Sequence, residues 1–378
     1  MASYEIHGLT EEEREIYDLV KRFADEKAAP GAAERDKEKK FPKALLDELG
    51  ELGLLGVNVP NELGGAGSTF TSAALVIHEL ARVDSALAVS VSVHLSVGTQ
   101  PIIVFGTEEQ KQRLVPPLAQ GHRLAAIALT ESHAGSDLGA VRTEFRDGKL
   151  YGNKQWVTNG SYAGEIVVVA KDPEAGGKLS AFIVSRPADG LTVIGEPAKM
   201  GLHASNTADL SFDGVECERL GEPGRGMAVA LGVMDGGRIG IAAQATGLAQ
   251  GAMDIAVQWA QEREAFGGPI AKLGQVQAKI AEMSTDIEAA RALMLRAAKA
   301  KDAGLPHTVE GAQAKLFASR VARLQTGEAI QVMGGAGYME DLPAERYYRD
   351  AKITEIYEGT SEVQRLVIAR GILGDAAR

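Results

Sequence analysis

Across the first 120 residues, apolar positions recur every three to four places, the spacing of helices that bury one face. Ile16, Leu19, Val20 and Phe23 form one such stripe, and Thr10 with Glu13 just ahead of it makes a capping box. Pro42 opens a second helix through Leu45, Leu46 and Leu49, and the Ala/Val/Leu run over 72–97 predicts one long buried helix. Thr107 and Gln110 repeat the capping signature. Residues 61–67 are glycine-rich but follow no strand, so they read as a turn and not as a phosphate loop.

From about residue 124 the period shortens. Apolar or β-branched runs at 124–129, 166–170, 181–184 and 210–212 are separated by Asp147-Gly148, Asn159-Gly160, Gly176-Gly177, Asp189-Gly190 and Asp213-Gly214, all hairpin or loop signals. They predict a compact antiparallel sheet or barrel of about a hundred residues. Helical spacing returns near Met227, in alanine-rich runs over 228–262, 275–303 and 308–333 that are long enough for an antiparallel bundle. The chain therefore reads as an α+β multidomain protein: an α-helical domain over 1–120, a β-barrel domain over 121–228 and a helical bundle over 229–378.

At 378 residues there is ample core for two or three domains. Lys and Arg number 40 against 51 Asp and Glu, a net charge of −11, which excludes a broad basic surface for nucleic acid or for stable membrane association. Cys217 is the only cysteine, so no disulfide framework or thiolate cluster exists, and it reads as a small inert core residue. The seven histidines show no ligand spacing, so no metal site is expected. Residues 1–15 are acidic without an apolar core, and no apolar run reaches membrane-spanning length, which predicts a soluble, cytoplasmic protein.

Candidate chemistry falls at the junctions. Ile127, Leu129 and Thr130 end a strand that runs into Gly135 and Ser136, a small-residue loop able to offer amides and hydroxyls to a phosphate or heterocycle, or simply an ordinary turn. Trp156 and Thr158 share one face of a strand, where a tryptophan is as readily core or rim. Arg263 ends a long helix ahead of Phe266, where a dipole contact or a salt bridge explains it equally. Gln331 precedes Gly334 and Gly335, an ordinary helix stop. Glu358, between Tyr357 and Gly359, is either a desolvated base or part of the cap of the next helix, with Thr360 or Ser361 as N-cap.

In order and wording these segments resemble the acyl-CoA dehydrogenase family across nearly the whole chain. Residues 234–242 and 343–352 bring the resemblance nearest to short-chain, butyryl-CoA-like members. The resemblance implies an N-terminal α-helical domain, a middle β-barrel and a C-terminal four-helix bundle, with FAD bound non-covalently in a homotetramer built as a dimer of dimers. Glu358 matches the base that takes the α-proton of an acyl-CoA while the β-hydrogen leaves as hydride to the flavin, giving the trans-2-enoyl-CoA. Ile127, Leu129, Thr130, Gly135, Ser136, Trp156, Thr158, Thr360 and Glu362 match FAD contacts; Arg263, Phe266, Gln331, Gly334 and Gly335 match contacts to FAD, of which the arginine and the glutamine-glycine segment reach a neighbouring subunit. Ser136, Asp235, Arg238, Tyr357 and Gly359 match acyl-CoA contacts. Gly237 stands where some relatives place the base, which leaves Glu358 without a competitor, whereas Gly274 stands where many relatives carry an FAD-contacting glutamine, with Gln275 one place later. An electron-transfer flavoprotein is the implied acceptor. The alternatives are an oxygen-using acyl-CoA oxidase and a non-catalytic flavin- or acyl-CoA-binding subunit of the same fold.

Overall fold

The computed structural model describes residues 6–377, so part of the acidic stretch expected at 1–15 lies outside the described residues. Helices α1 (Glu11–Phe23), α2 (Ala32–Glu38), α3 (Lys43–Glu51), α4 (Phe70–Val83), α5 (Ser85–Val93), α6 (Gln100–Phe105) and α7 (Glu108–Ala119) come first. Both capping boxes form: Glu13 N–H donates to Thr10 Oγ1 and Gln110 N–H to Thr107 Oγ1, each at 3.2 Å. The single helix expected over 72–97 is broken at Asp84, whose extended backbone ends α4 while its carboxylate accepts the Leu87 N–H at 3.1 Å and starts α5. Arg35 holds the other oxygen of that carboxylate at 2.8 Å, so the break is fixed by an ion pair that periodicity cannot reveal.

Strands β1 (Leu124–Ala128), β2 (Glu144–Arg146), β3 (Lys149–Thr158), β4 (Ala163–Asp172), β5 (Lys178–Ser185), β6 (Leu191–Gly195), β7 (Thr207–Glu216) and β8 (Glu218–Leu220) form one sheet among the described residues. Its order is β6-β7-β3-β2-β4-β5-β8, with β1 parallel to β4. One face packs only strand residues together, Phe145, Leu150, Ile166, Val168, Phe182, Leu210 and Phe212 among them, as a barrel-like sheet does, although its ladder has two ends. The other face sets Val167, Val169 and Ile183 against Leu114 and Leu118 of α7 and Val229 of the next helix. Asp147-Gly148 turns a hairpin with both φ positive, as its sequence demands, whereas Asp213-Gly214 lies inside β7, where Gly214 at φ +71 forms a bulge.

Helices α8 (Gly226–Glu262), α9 (Gly274–Asp302), α10 (Thr308–Met333), α11 (Ala344–Ile353) and α12 (Ser361–Leu373) complete the chain, with a short hairpin, β9 (Glu264–Ala265) and β10 (Gly268–Pro269), between α8 and α9. Helix α8 is the axis of the molecule: buried from Gly236 through Ala252, it contributes to the bundle core with Met283, Met294, Ala314 and Ala322 of α9 and α10. Two segments, Ser85–Phe105 and Gly226–Glu262, are long and apolar enough to cross a membrane by length and composition, contrary to the sequence expectation, yet both are mostly buried in the core.

His94 ties the helical domain to the sheet. Fully buried, it uses Nε2 toward the Leu55 carbonyl and accepts the Ala125 N–H on Nδ1, both at 3.1 Å. Burial pushes its pKa down to about 4, against backbone hydrogen bonds to Leu55 and Leu118 that favour the charged form. The folded state thus holds His94 neutral while the unfolded chain takes up the proton below its ordinary value. The His94 contribution to stability should be complete above about pH 6.5 and fall by about 3 kcal/mol as the pH drops towards 4. Chemical unfolding between pH 4 and 8 checks this, with His94→Gln expected to flatten the acid limb.

Candidate functional site

Between α11 and α12 the chain makes an irregular turn whose backbone is left-handed at two successive residues, Glu358 at φ +52 and Gly359 at φ +93. For a glutamate that conformation costs on the order of 1 kcal/mol, and it persists only where the surroundings impose it. Here they do. Ser361 N–H donates to the Glu355 carbonyl at 3.0 Å, Thr360 caps α12 by accepting the Val363 N–H at 3.3 Å, and Gln364 Nε2 donates to the Gly359 carbonyl at 2.8 Å. The cap role is therefore taken by Thr360, and Glu358 is free of it. Gly359 meets its own chain and not an open space: a Cβ there would lie 2.6 Å from the Gln364 amide nitrogen.

The turn aims the Glu358 carboxylate at α8. A Cβ on Gly237 would stand 2.0 Å from Glu358 Oε2 and 3.0 Å from Val97. The missing side chain is the carboxylate's seat. Oε2 is closed to solvent and has no hydrogen-bond partner, although the residue as a whole keeps some surface. Burial lifts the Glu358 pKa to about 7, against the pull of Lys315 and Arg238. Beside it, Tyr357 is packed among Val89, Val93, Val97 and Val233, and its hydroxyl donates to Gln244.

Asp235 and Arg238 sit one turn apart on α8 and pair at 2.6 Å. Arg238, expected among acyl-CoA contacts as a basic group, is only 5% exposed, with Nε buried and unpartnered. It acts on the Glu358 carboxylate from within the protein.

The second half of the site is the loop after β1. Ile127 and Leu129 point into the apolar layer, while Thr130, Gly135 and Ser136 keep surface, and the space beside Gly135 is open. Two ion-bonded side chains that the sequence reading did not single out set the loop's shape. Lys154, fully buried, donates to the Leu129 carbonyl and to Glu131 Oε1, both at 2.9 Å. Burial alone would raise the Glu131 carboxyl, but bonds from Thr143, Arg142 and Lys154 hold it at about 2. A lysine and a glutamate of inward position in a strand and loop were the only signals in the sequence. Next to Lys154 a bulge interrupts the pairing of β3 with β7, and Trp156 takes φ +58, its N–H donating to Asp209 Oδ1 at 3.0 Å. The bulge leaves the tryptophan 60% exposed on the side that Thr158 shares. His133 lies in the same loop, bonded to the Ala140 carbonyl at 3.1 Å.

Arg263, Phe266, Gln331, Gly334 and Gly335 are all exposed, Phe266 at 93%. Among the described residues no hydrogen bond, ion pair or apolar cluster joins them to the β1 loop, and Arg263 makes no ion pair. Within one chain they are a separate, outward-facing set. Glu362, likewise exposed, lies in the first turn of α12.

Family models for the acyl-CoA dehydrogenase N-terminal, middle and C-terminal domains match residues 10–122, 126–215 and 224–373. The chain belongs to the acyl-CoA dehydrogenase family. It is 45% identical to the mitochondrial short-chain specific acyl-CoA dehydrogenase of Bos taurus over 98% of this chain and 92% of that one. The butyryl-CoA dehydrogenase structure from Megasphaera elsdenii superposes with a TM-score of 0.94 at 39% identity, covering 98% of this chain and all of the other. A chain in the structure described as the electron transferring flavoprotein of Acidaminococcus fermentans superposes with a TM-score of 0.95 at 42% identity, again covering 98% and 100%. This acyl-CoA dehydrogenase is an FAD-dependent oxidoreductase. The donor set fits the cofactor: the Thr130, Ser136 and Thr158 hydroxyls bond to nothing in the chain among the described residues, and the glycines at 135, 334 and 335 leave open space beside them.

Two substitutions test the construction. Lys154→Met leaves Glu131 buried without its cation, so FAD titration of the apoprotein should show at least about tenfold weaker binding. Gly237→Ala should retain FAD but push the carboxylate off its seat, lowering kcat about 10²-fold or more in a steady-state assay.

Proposed function

We propose that this acyl-CoA dehydrogenase oxidises a short-chain or short branched-chain acyl-CoA thioester to the trans-2-enoyl-CoA, with Glu358 as the base that removes the α-proton. Bound FAD supplies the acceptor for the β-hydride. The observation that carries the reading is the Glu358 carboxylate: solvent-closed, unbonded at Oε2, and poised near neutrality.

A thioester α-proton is a very weak acid, so the carbonyl oxygen must be stabilised as charge develops on it. The Glu358 N–H suits that task, because it donates to no group among the described residues and the left-handed turn has freed it from both flanking helices. Proton and carbonyl would then be handled by one residue, its side chain and its amide. Val97 at the carboxylate, with Val93 and Val89 one and two turns beyond it, presents a β-branched wall that favours a short acyl chain. Ser136, Asp235, Arg238, Tyr357 and Gly359 are the proposed acyl-CoA contacts.

The outward set of Arg263, Phe266, Gln331, Gly334 and Gly335 supports a homotetramer in which one subunit completes the FAD site of another. An electron-transfer flavoprotein is the proposed acceptor, in line with the two butyryl- and flavoprotein-related neighbours.

Anaerobic mixing with butyryl-CoA should bleach the flavin, and Glu358→Gln should slow that bleaching by about 10²- to 10⁴-fold. Since the base must be ionised, kcat/KM should rise with pH and reach half its plateau near pH 7. The same raised pKa makes the folded state hold a proton that the unfolded state releases between 4.5 and about 7, so stability falls across that window. Glu358→Gln should therefore melt higher than the parent at pH 8 and match it near pH 4. Bleaching unaffected by the substitution would remove Glu358 as the base.

A further inference from the structure

We propose that Lys315 is a positioning residue for proton abstraction: its buried ammonium grips the Gly359 carbonyl, fixing the left-handed turn, and holds a positive charge near the Glu358 carboxylate without bonding it. The inference rests on the reading of Glu358 as the base. Lys315 lies in the middle of α10, fully buried, and donates through Nζ to the Gly359 oxygen at 2.7 Å. Gln364, equally buried, donates to the same oxygen at 2.8 Å and reaches the Glu358 carbonyl at 3.4 Å. Two donors from two helices thus close on one carbonyl, and the peptide between Gly359 and Thr360 cannot rotate without breaking both.

A buried ammonium is costly unless charge compensates it. Lys315 makes no ion pair among the described residues. Burial lowers its pKa to about 8, and the largest opposing influence is Glu358, which is lowered in return by Lys315. The other charges around the pair are committed elsewhere: Arg238 of α8 to Asp235, Glu355 to Arg323 and Lys352, and Glu362 of α12 to Arg365 at the surface. Tyr357 faces the carboxylate as a neutral phenol bonded to Gln244. The separation has a chemical use. A lysine bonded to Oε2 would occupy the lone pair that must take the proton, whereas one held on the neighbouring carbonyl favours the ionised carboxylate and leaves Oε2 open.

The test uses FAD-loaded Lys315→Met, Lys315→Gln and Glu358→Gln proteins with acetoacetyl-CoA, whose α-carbon is acidic and whose β-carbon has no hydride to give. Its α-proton passes to the base and the electron pair stays on the thioester as an enolate, followed by absorbance across pH. The methionine variant should shift the pH midpoint of enolate formation upward by about one unit, a roughly tenfold loss below the midpoint. The glutamine variant, which keeps a donor but no charge, should shift it likewise while losing less kcat with butyryl-CoA. Both variants giving the parent midpoint and kcat, with FAD retained, would overturn the inference. Enolate formed normally by Glu358→Gln would instead overturn the base assignment. If Lys315→Met fails to fold, Gln364→Leu probes the other half of the grip: kcat lowered about tenfold or more with FAD retained supports it, and an unchanged kcat sinks it.

Discussion

The seat of the Glu358 carboxylate against Gly237 is the contact on which the rest of the arrangement depends. With 2.0 Å between Oε2 and the place of a Cβ, any side chain at Gly237 would displace the carboxylate, so the meeting of α8, the 358–359 turn and Val97 has little tolerance. That tolerance explains the packing around it. Helix α8 is buried in one core with Phe70, Ala74 and Ile77 of α4, Met294 and Ala298 of α9 and Ala314 of α10, which resists its shifting away from the carboxylate. The residue whose absence of bulk makes room for the proposed base, Gly237, also stands where a rival acid would be.

The electrostatics follow from the same burial. A protein of net charge −11 keeps three charged groups, Glu358, Lys315 and Arg238, inside one junction, and each is individually costly there. Desolvation raises the acid and lowers the lysine, so the two ionisations lean on one another. Stability is lost in holding an ionised carboxylate with an unbonded oxygen, and that same oxygen is the one able to accept a proton. The left-handed backbone at Glu358 belongs to the same exchange of stability for function.

The proposed cofactor loop is built by a different device. Lys154 and Glu131 make a buried pair whose hydrogen bonds run to the loop backbone, so the charges are used to shape peptide groups and to present Thr130, Gly135 and Ser136. The adjacent bulge then turns Trp156 outward. By contrast Arg263, Phe266 and the glycines after Gln331 meet nothing of this loop among the described residues, and the proposed homotetramer would cover them.

Local order was legible in the chain itself. Capping boxes at Thr10 and Thr107, the Asp147-Gly148 hairpin, the end of α8 at Arg263 and the stop after Met333 depend on neighbours within four residues, and helical or two-residue spacing encodes them directly. The motifs around Glu358, the β1 loop and Trp156 were likewise found by their wording, and with them the family. What the sequence could not decide was set by partners far away along the chain: the break at Asp84 needs Arg35, the burial of Arg238 needs α10, and the roles of Lys154 and Lys315 need Glu131 and Gly359. A lysine in a helical run reads as a solvated face until the fold takes its water away. Sequence spacing determines which side a residue is on; only the packed structure determines what the other side brings against it, because desolvation and Coulomb forces act through space.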